Sequence, residues 1–292
     1  MPDVVIIGNG PAGIAAAIYA LRSGLDTMVI GKDKGSLERA GLIENYYGFP
    51  QPVEGKALIN NGIEQAVKLG AKIIEDEVVG LGYMGKLLVK TKSGEIESDA
   101  LVLATGSSRK RPELTGLKEL EGTGVSYCAT CDAFFYKQKN VAVLGNGEYA
   151  VSEAKELAHV AASVTILTNG MEMEAAVPEH ISVNKKEIER LEGSEKLEGV
   201  KFKDDTLVCV AGAFVAMGVA GSSELARMMG VQVNGNDIVV SEKMETNVPG
   251  VFAAGDCTGG WLQVSKAVYE GAKAGFEAVK YVRKKKGIMN AK

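Results

Sequence analysis

Cysteine is scarce in this chain, four in 292 residues, which excludes the disulfide-stapled scaffold that small secreted domains rely on. A basic surplus is also missing. The formal net charge is −4, whereas chains that bind nucleic acid usually show a positive balance. No apolar run approaches the ~18 residues that cross a bilayer as a helix. The N-terminus enters a strand, Val4-Val5-Ile6-Ile7, directly after Asp3, without a charged and then apolar leader. These absences point to a soluble protein of the reducing cytoplasm with no nucleic-acid or membrane partner. What is plentiful is apolar material, 46% against 24% charged residues, the balance of a globular chain. The length allows two domains, each with its own core.

One self-similarity organises the sequence. Asp3 to Gly13 reads D-V-V-I-I-G-N-G-P-A-G, and Asn140 to Ala150 reads N-V-A-V-L-G-N-G-E-Y-A. Each is a β-branched strand running into glycines and then into an alanine-spaced helix, Ile14 to Arg22 in the first case and Val151 to Val160 in the second. A third strand-to-glycine segment, Val251 to Asp256, precedes a helix from about Gln263 to Lys285 and returns to complete the first unit. The expected fold class is therefore α/β, with two Rossmann-like three-layer domains, the second inserted in the first. The expected domains are 1–113 with 246–292, and 114–245. The linkers Ser107 to Gly116 and Glu242 to Gly250 each contain a proline, Pro112 and Pro249, and turn formers. Lys284-Lys285-Lys286 reads as a solvated helix end favoured by the helix dipole.

Gly8, Gly10 and Gly13, with Pro11 and Ala12 between them, form a G-x-G-x-x-G fingerprint after a strand and at the start of a helix. The glycines permit a tight turn, a close approach to a pyrophosphate and close helix–strand packing. The acid that usually binds a ribose about 20 residues on is missing from the next strand end, Met28-Val29-Ile30-Gly31-Lys32. The second fingerprint, Gly145-x-Gly147-x-x-Ala150, places the bulky Tyr149 where a pyrophosphate favours a small residue. Its following strand ends in Thr168-Asn169-Gly170-Met171-Glu172-Met173-Glu174, with no arginine for the extra phosphate of NADP. Glu172 and Glu174 repel such a phosphate, while Glu172 leaves an NAD site open, so the second site reads as eroded.

Cys128-Ala129-Thr130-Cys131-Asp132 is the segment with chemistry. Two thiols three apart close a readily exchanged disulfide, and Asp132 can supply or remove the proton of thiolate chemistry. Half a zinc site is the alternative. It needs two more ligands from Cys209, Cys257, His159 and His180, which lack paired spacing. Cys209, in the apolar run Leu207 to Ala211, reads as buried core; Cys257, in a glycine-rich turn, reads as structural.

Tyr127 to Asp132, Y-C-A-T-C-D, resembles the active-site segment of the low-molecular-weight thioredoxin reductases, and the likeness runs from the first strand to the last helix. It implies a flavoprotein with FAD/NAD(P)-binding domains. Catalysis would fall to Cys128 attacking the partner disulfide, Cys131 facing the flavin, and Asp132 as acid/base. It implies FAD on Gly8 to Gly13, on the wrapping loop Gly31, Lys32, Gly35, Ser36 and Leu37, and on Asn45 and Val78. The same likeness adds Ala104-Thr105-Gly106, Gly255-Asp256 and the helix start Gln263-Val264-Ser265, where the family usually has Arg-Gln-Ala. Thioredoxin is the implied acceptor and a homodimer the implied assembly. The basic H-R-R-x-x-x-R stretch of the NADPH-dependent members is replaced by Thr168 to Glu174. In this the chain is similar to the ferredoxin-dependent flavin thioredoxin reductases, so ferredoxin is the expected donor and Arg109-Lys110-Arg111 a candidate docking patch. An NAD(P)H-dependent reductase, a small-molecule dithiol oxidase and a non-catalytic flavin sensor are the competing readings.

Overall fold

The computed structural model describes residues 1–288 apart from 34, 39, 41, 107–112, 128 and 218–220, and only the backbone of 130 and 131. The chain forms two compact units, 1–109 with 221–292, and 110–220. The first opens with β1 (Val4–Ile7), α1 (Pro11–Arg22), β2 (Thr27–Gly31) and the single-turn α2 (Gly35–Glu38). A ribbon of β3 (Leu42–Ile43) and β4 (Val53–Glu54), α3 (Gly55–Lys68) and β5 (Lys72–Glu75) follow. The antiparallel meander β6 (Val78–Tyr83), β7 (Leu87–Thr91) and β8 (Glu95–Ser98) leads to β9 (Ala100–Leu103).

The second unit contains β10 (Val125–Ser126), α4 (Ala129–Asp132), β11 (Asn140–Leu144), α5 (Glu148–Ala158), β12 (Ser163–Leu167) and β13 (Ser182–Asn184). Its meander is β14 (Ile188–Glu192), β15 (Gly199–Phe202) and β16 (Leu207–Cys209), and β17 (Gly212–Val215) closes it. The chain then returns with α6 (Ser222–Met228), the ribbon β18 (Val233–Asn234) and β19 (Asp237–Ile238), β20 (Val251–Ala253) and α7 (Val264–Lys285).

Each unit is built on a five-stranded parallel sheet, ordered β20-β9-β1-β2-β5 in the first and β10-β17-β11-β12-β13 in the second. Strands β1 and β9 are buried along their whole length, as expected for continuous apolar runs covered on both faces. This is the mixed α/β, Rossmann-like fold that the repeated strand–glycine–helix pattern implies.

The boundaries differ from those expected. Residues 221–245 group with the first unit, because α6 packs on β6 and Met244 is buried in the same core as Val4 and Phe252. Ser222, buried at the start of α6, accepts from Thr105 Oγ1 at 2.7 Å and donates to the Gly106 carbonyl at 2.6 Å. The Glu242 to Gly250 stretch is thus internal to the first unit. Cys209 is exposed rather than buried, because β16 is the edge strand of its meander and turns alternate residues outward. Lys285 and Lys286 reach back to Asp99, at 3.0 and 3.9 Å, and Lys286 also pairs with Asp3, so this end is tied down by acids.

Helix α7 lies against α1 through glycines. A Cβ on Gly271 would stand 2.0 Å from the Ala12 carbonyl oxygen, and one on Gly275 2.4 Å from that of Ala16. Alanine in place of an unobstructed helical glycine gains ~1 kcal/mol, but here it overpacks. Gly271→Ala is expected to destabilise by about 1–3 kcal/mol. Gly62→Ala on α3, whose added Cβ meets only Ile14 Cγ2 at 3.4 Å, is expected to be neutral or stabilising. Urea denaturation of the two variants beside the parent protein checks the contrast.

Candidate active site

In the sheet order of the first unit, β20, β9, β1 and β2 are neighbours, so their carboxyl ends form a row. That row holds most of the expected cofactor residues: Gly255-Asp256, Ala104-Thr105-Gly106, Gly8 to Gly13, and Gly31-Lys32. Such an edge is where open α/β sheets bind extended dinucleotides. The three fingerprint glycines answer different demands. Gly8 has φ +108°, and its added Cβ would lie 2.1 Å from the Ala104 carbonyl; one on Gly13 would lie 1.8 Å from the Gly8 carbonyl. Both are required by the chain itself. Gly10 has φ −72° and ψ −176°, which any residue adopts, and nothing lies within 4 Å of its added Cβ. The protein's own atoms therefore do not require glycine here, and the open space is compatible with the pyrophosphate that the fingerprint is expected to seat.

Helix α1 begins with Pro11 and has no side-chain cap; α7, preceded by Gln263, has none either. Their first N–H groups are therefore left to a partner, and an anionic one is favoured there. The two helix starts meet the end of β20: a Cβ on Gly255 would lie 2.8 Å from Ala12 Cβ and 3.8 Å from Ala267 Cβ. Asn45 donates to Gln263 Oε1 at 3.1 Å, joining the segment after α2 to the start of α7. Leu37 and Val78 are buried, while Gly35 is held by a bond from its N–H to Asp33 Oδ1 at 2.8 Å. Ser36, in α2, and Val264 and Ser265, in the first turn of α7, complete the expected set. Asp256 is half-buried, and burial raises its carboxyl pKa, with Lys266 opposing and Glu270 adding to the shift. An uncapped pair of helix starts, an open Gly10 and a row of strand ends fit the pyrophosphate and flavin side chain of FAD.

Sequence reasoning missed Glu77. The end of β2 offers no acid, yet the buried Glu77 pairs with Lys32 at 2.9 Å because β5, the neighbour of β2, delivers it there. Gly31 has a further reason to be glycine, since an added Cβ would clash with the Asn9 side chain at 2.6 Å. Cys257 is structural, as expected. It is buried, its Sγ contacts the Ala254 and Leu103 carbonyls, and burial pushes its thiol up to about 12.

In the second unit, Cys128 lies outside the described residues, as does the Arg109-Lys110-Arg111 patch; Cys131 is described by its backbone, within α4. The flanks of this turn are well defined. Asp132 accepts from Ser126 Oγ at 2.7 Å. The Tyr127 carbonyl accepts from the Tyr149 hydroxyl at 3.1 Å, and the Ala129 N–H donates to Glu153 Oε2 at 2.6 Å. Tyr149 is thus fully buried, its ring turned into the unit rather than standing in the mouth of the second glycine turn. Glu153 is 2% exposed. Burial raises its carboxyl to about 7, with the Ala129 N–H lowering and Glu156 raising it. No spacing rule marks Glu153 in the sequence, where it reads as one more residue of an amphipathic helix. Beside α4, Phe134 and Phe135 stand 79% and 67% exposed.

The loop after β12 is closed on the second fingerprint. Asn146, buried between the two glycines, donates from Nδ2 to the Glu172 carbonyl at 3.0 Å. Its own carbonyl accepts the Glu174 N–H at 2.8 Å. The Glu172 carboxylate pairs with Lys185.

Two units of one strand–glycine–helix plan, the second carrying a C-x-x-C segment in its sequence, point to the class of flavin-linked disulfide oxidoreductases. The model of the pyridine nucleotide-disulphide oxidoreductases matches residues 2–271, and the chain belongs to that family. It is accordingly an FAD-dependent enzyme of disulfide chemistry. It is 35% identical to the thioredoxin reductase of Aquifex aeolicus, over 98% of this chain and 95% of that protein. Among solved structures, the atypical thioredoxin reductase of Desulfovibrio vulgaris Hildenborough superposes with a TM-score of 0.92 at 40% identity, covering 97% of this chain and 99% of the other. A ferredoxin-flavin thioredoxin reductase from Clostridium acetobutylicum gives 0.70 at 33% identity, covering 97% and 98%. Among the described residues no helix is long and apolar enough to cross a membrane.

Gly10→Val separates ligand space from packing space. It is expected to leave the urea midpoint of the FAD-free protein unchanged. FAD binding, followed by quenching of flavin fluorescence, should weaken about tenfold or more, ~1.4 kcal/mol. Gly13→Val is expected to lower the midpoint itself.

Proposed function

We propose that the chain is a thioredoxin reductase that takes its electrons from reduced ferredoxin and passes them through Cys128 and Cys131 to the disulfide of thioredoxin, acting as a cytoplasmic homodimer. Bound FAD supplies an electron store that can be filled one electron at a time and emptied as a pair. Two electrons open the Cys128–Cys131 bond. The Cys128 sulfur then attacks one sulfur of the thioredoxin disulfide, and Asp132 delivers a proton to the sulfur that leaves. Cys131 attacks Cys128 in the mixed disulfide, reforming the pair and releasing reduced thioredoxin. The exposed Phe134 and Phe135, three and four residues past Cys131, offer an apolar surface to a protein partner beside the reacting turn.

The choice of donor rests on one observation, the loop Thr168 to Glu174. It contains no arginine, it is bonded on both sides to Asn146 of the second glycine turn, and Lys185 is neutralised by Glu172. A 2′-phosphate dianion finds no charge-assisted fork there. Energetics permit this donor: plant-type ferredoxins lie near about −400 mV and thioredoxin near about −270 mV, so two electrons falling ~130 mV release roughly 6 kcal/mol.

Anaerobic titration of the yellow protein, followed by flavin absorbance, tests the donor. Reduced ferredoxin is expected to bleach the flavin and generate thiols on added thioredoxin, while NADPH and NADH at micromolar levels leave the absorbance unchanged. Prompt bleaching by either nucleotide would overturn the ferredoxin assignment and leave a nicotinamide-dependent reductase.

A further inference from the structure

Helix α5 holds the two residues that neighbour Cys128 in the sequence. Tyr149 and Glu153, one helical turn apart, hold the Tyr127 carbonyl and the Ala129 N–H respectively, the two peptide groups that flank Cys128 in the chain. Only one of these contacts involves an ionisable acceptor. Glu153 is 2% exposed, and its bond from the Ala129 N–H is the short one, 2.6 Å. We infer that Glu153 is a positioning residue of the Cys128–Cys131 pair whose carboxyl takes up a proton when the disulfide is opened and gives it back when the disulfide reforms. This rests on the redox role proposed above for the two cysteines.

The argument is competition for one set of donors. A thiolate in a Cys-x-x-Cys turn is stabilised by nearby peptide N–H groups and by positive charge. The Ala129 N–H belongs to the peptide group bonded directly to Cys128 and is already engaged by the buried Glu153 carboxylate, so a thiolate on Cys128 forms within a few covalent bonds of a donor held by another anion. In a poorly solvated site two like charges disfavour each other strongly, so the pair titrates as a coupled system. Opening the disulfide consumes two electrons and one proton, breaks the S–S bond and leaves one thiol and one thiolate. The carboxylate binds a second proton and becomes neutral. Reduction of the partner's disulfide reverses both changes, and that proton leaves with the electron pair.

The surroundings place the exchange near neutrality. Glu156, one turn along α5, adds a negative charge, and burial raises the carboxyl. Of the elements packed against α5, β11 and β12 contribute no titratable side chain. Helix α4 contributes Cys131 and Asp132, the latter bonded to Ser126. Tyr127 and Tyr149 add phenol side chains beside the same turn of α5. Tyr136 follows α4, and its phenol is pushed higher still by burial and by Asp132.

The test uses the FAD-loaded holoenzyme, equilibrated anaerobically with thiol/disulfide buffers from about pH 6 to about pH 9. The cysteines are then trapped by alkylation, and the peptide containing Cys128 and Cys131 is weighed. In the parent protein the equilibrium constant for opening the disulfide should fall by an extra tenfold per pH unit across a window around neutrality. Per proton and two electrons this is about 30 mV. Glu153→Gln keeps an acceptor for the Ala129 N–H and should lose that extra steepness, while Glu153→Asp restores it. Equal slopes in parent and Gln variant overturn the inference while leaving the disulfide's role intact. A parent slope without the extra proton overturns it too, even where the Gln variant fails to fold. A parent protein in which Cys128 and Cys131 never interconvert overturns the underlying redox reading instead.

Discussion

Backbone pressed against backbone is the constraint on which the first unit depends. Helix α1 lies so near the turn after β1 that one added carbon at Gly13 would sit inside the Gly8 carbonyl, and α7 lies as close to α1 at Gly271 and Gly275. The alanines of α1 are buried for the same reason. This close approach fixes where both helices begin, at the carboxyl edge of the parallel sheet. Their first N–H groups, uncapped by any side chain, are then collected in one place. Packing and ligand affinity share a cause: the tightness that demands glycine in the interior also aims the unpaired donors outward. Gly10 alone among the three fingerprint glycines is not required by the protein's own atoms.

The second unit uses the same strand–glycine–helix plan to another end. Its glycine turn is still tight, since an added Cβ on Gly145 would lie 2.1 Å from the Ala216 carbonyl. The chain itself satisfies the mouth of that turn through Asn146, Glu172 and Glu174. Helix α5 meanwhile turns two polar side chains inward, Tyr149 and Glu153, to hold the segment around Cys128. The same plan here supports the residues beside Cys128 and buries a carboxyl that desolvation raises to about 7.

Much of this was legible in the sequence because it is local. The runs Val4 to Ile7 and Asn140 to Leu144 are strands, the glycines after them are turns, and the last helix extends to Lys285, as the patterns imply. What escaped involves partners far apart in the chain. Ser222 belongs with Thr105 and Gly106, which moves a unit boundary from 245 to 220. Cys209 looks buried from its apolar neighbours but sits on the outward face of an edge strand. Glu77 supplies the acid that β2 lacks, from a segment no spacing rule connects with it.

The sequence by itself determined the kind of fold, the place of the fingerprints and the identity of the chemical groups. Strand periodicity, glycine tolerance of positive φ, and thiol and carboxyl chemistry are properties of residues and their near neighbours. Only the tertiary structure decided which groups would lose water and which would meet. The burial of Glu153 against the Ala129 N–H, the pairing of Glu77 with Lys32, and the closure of the second glycine turn by Glu172 and Glu174 are such outcomes. Desolvation and hydrogen bonding depend on distances set by the packing of whole elements, and no local pattern encodes those distances.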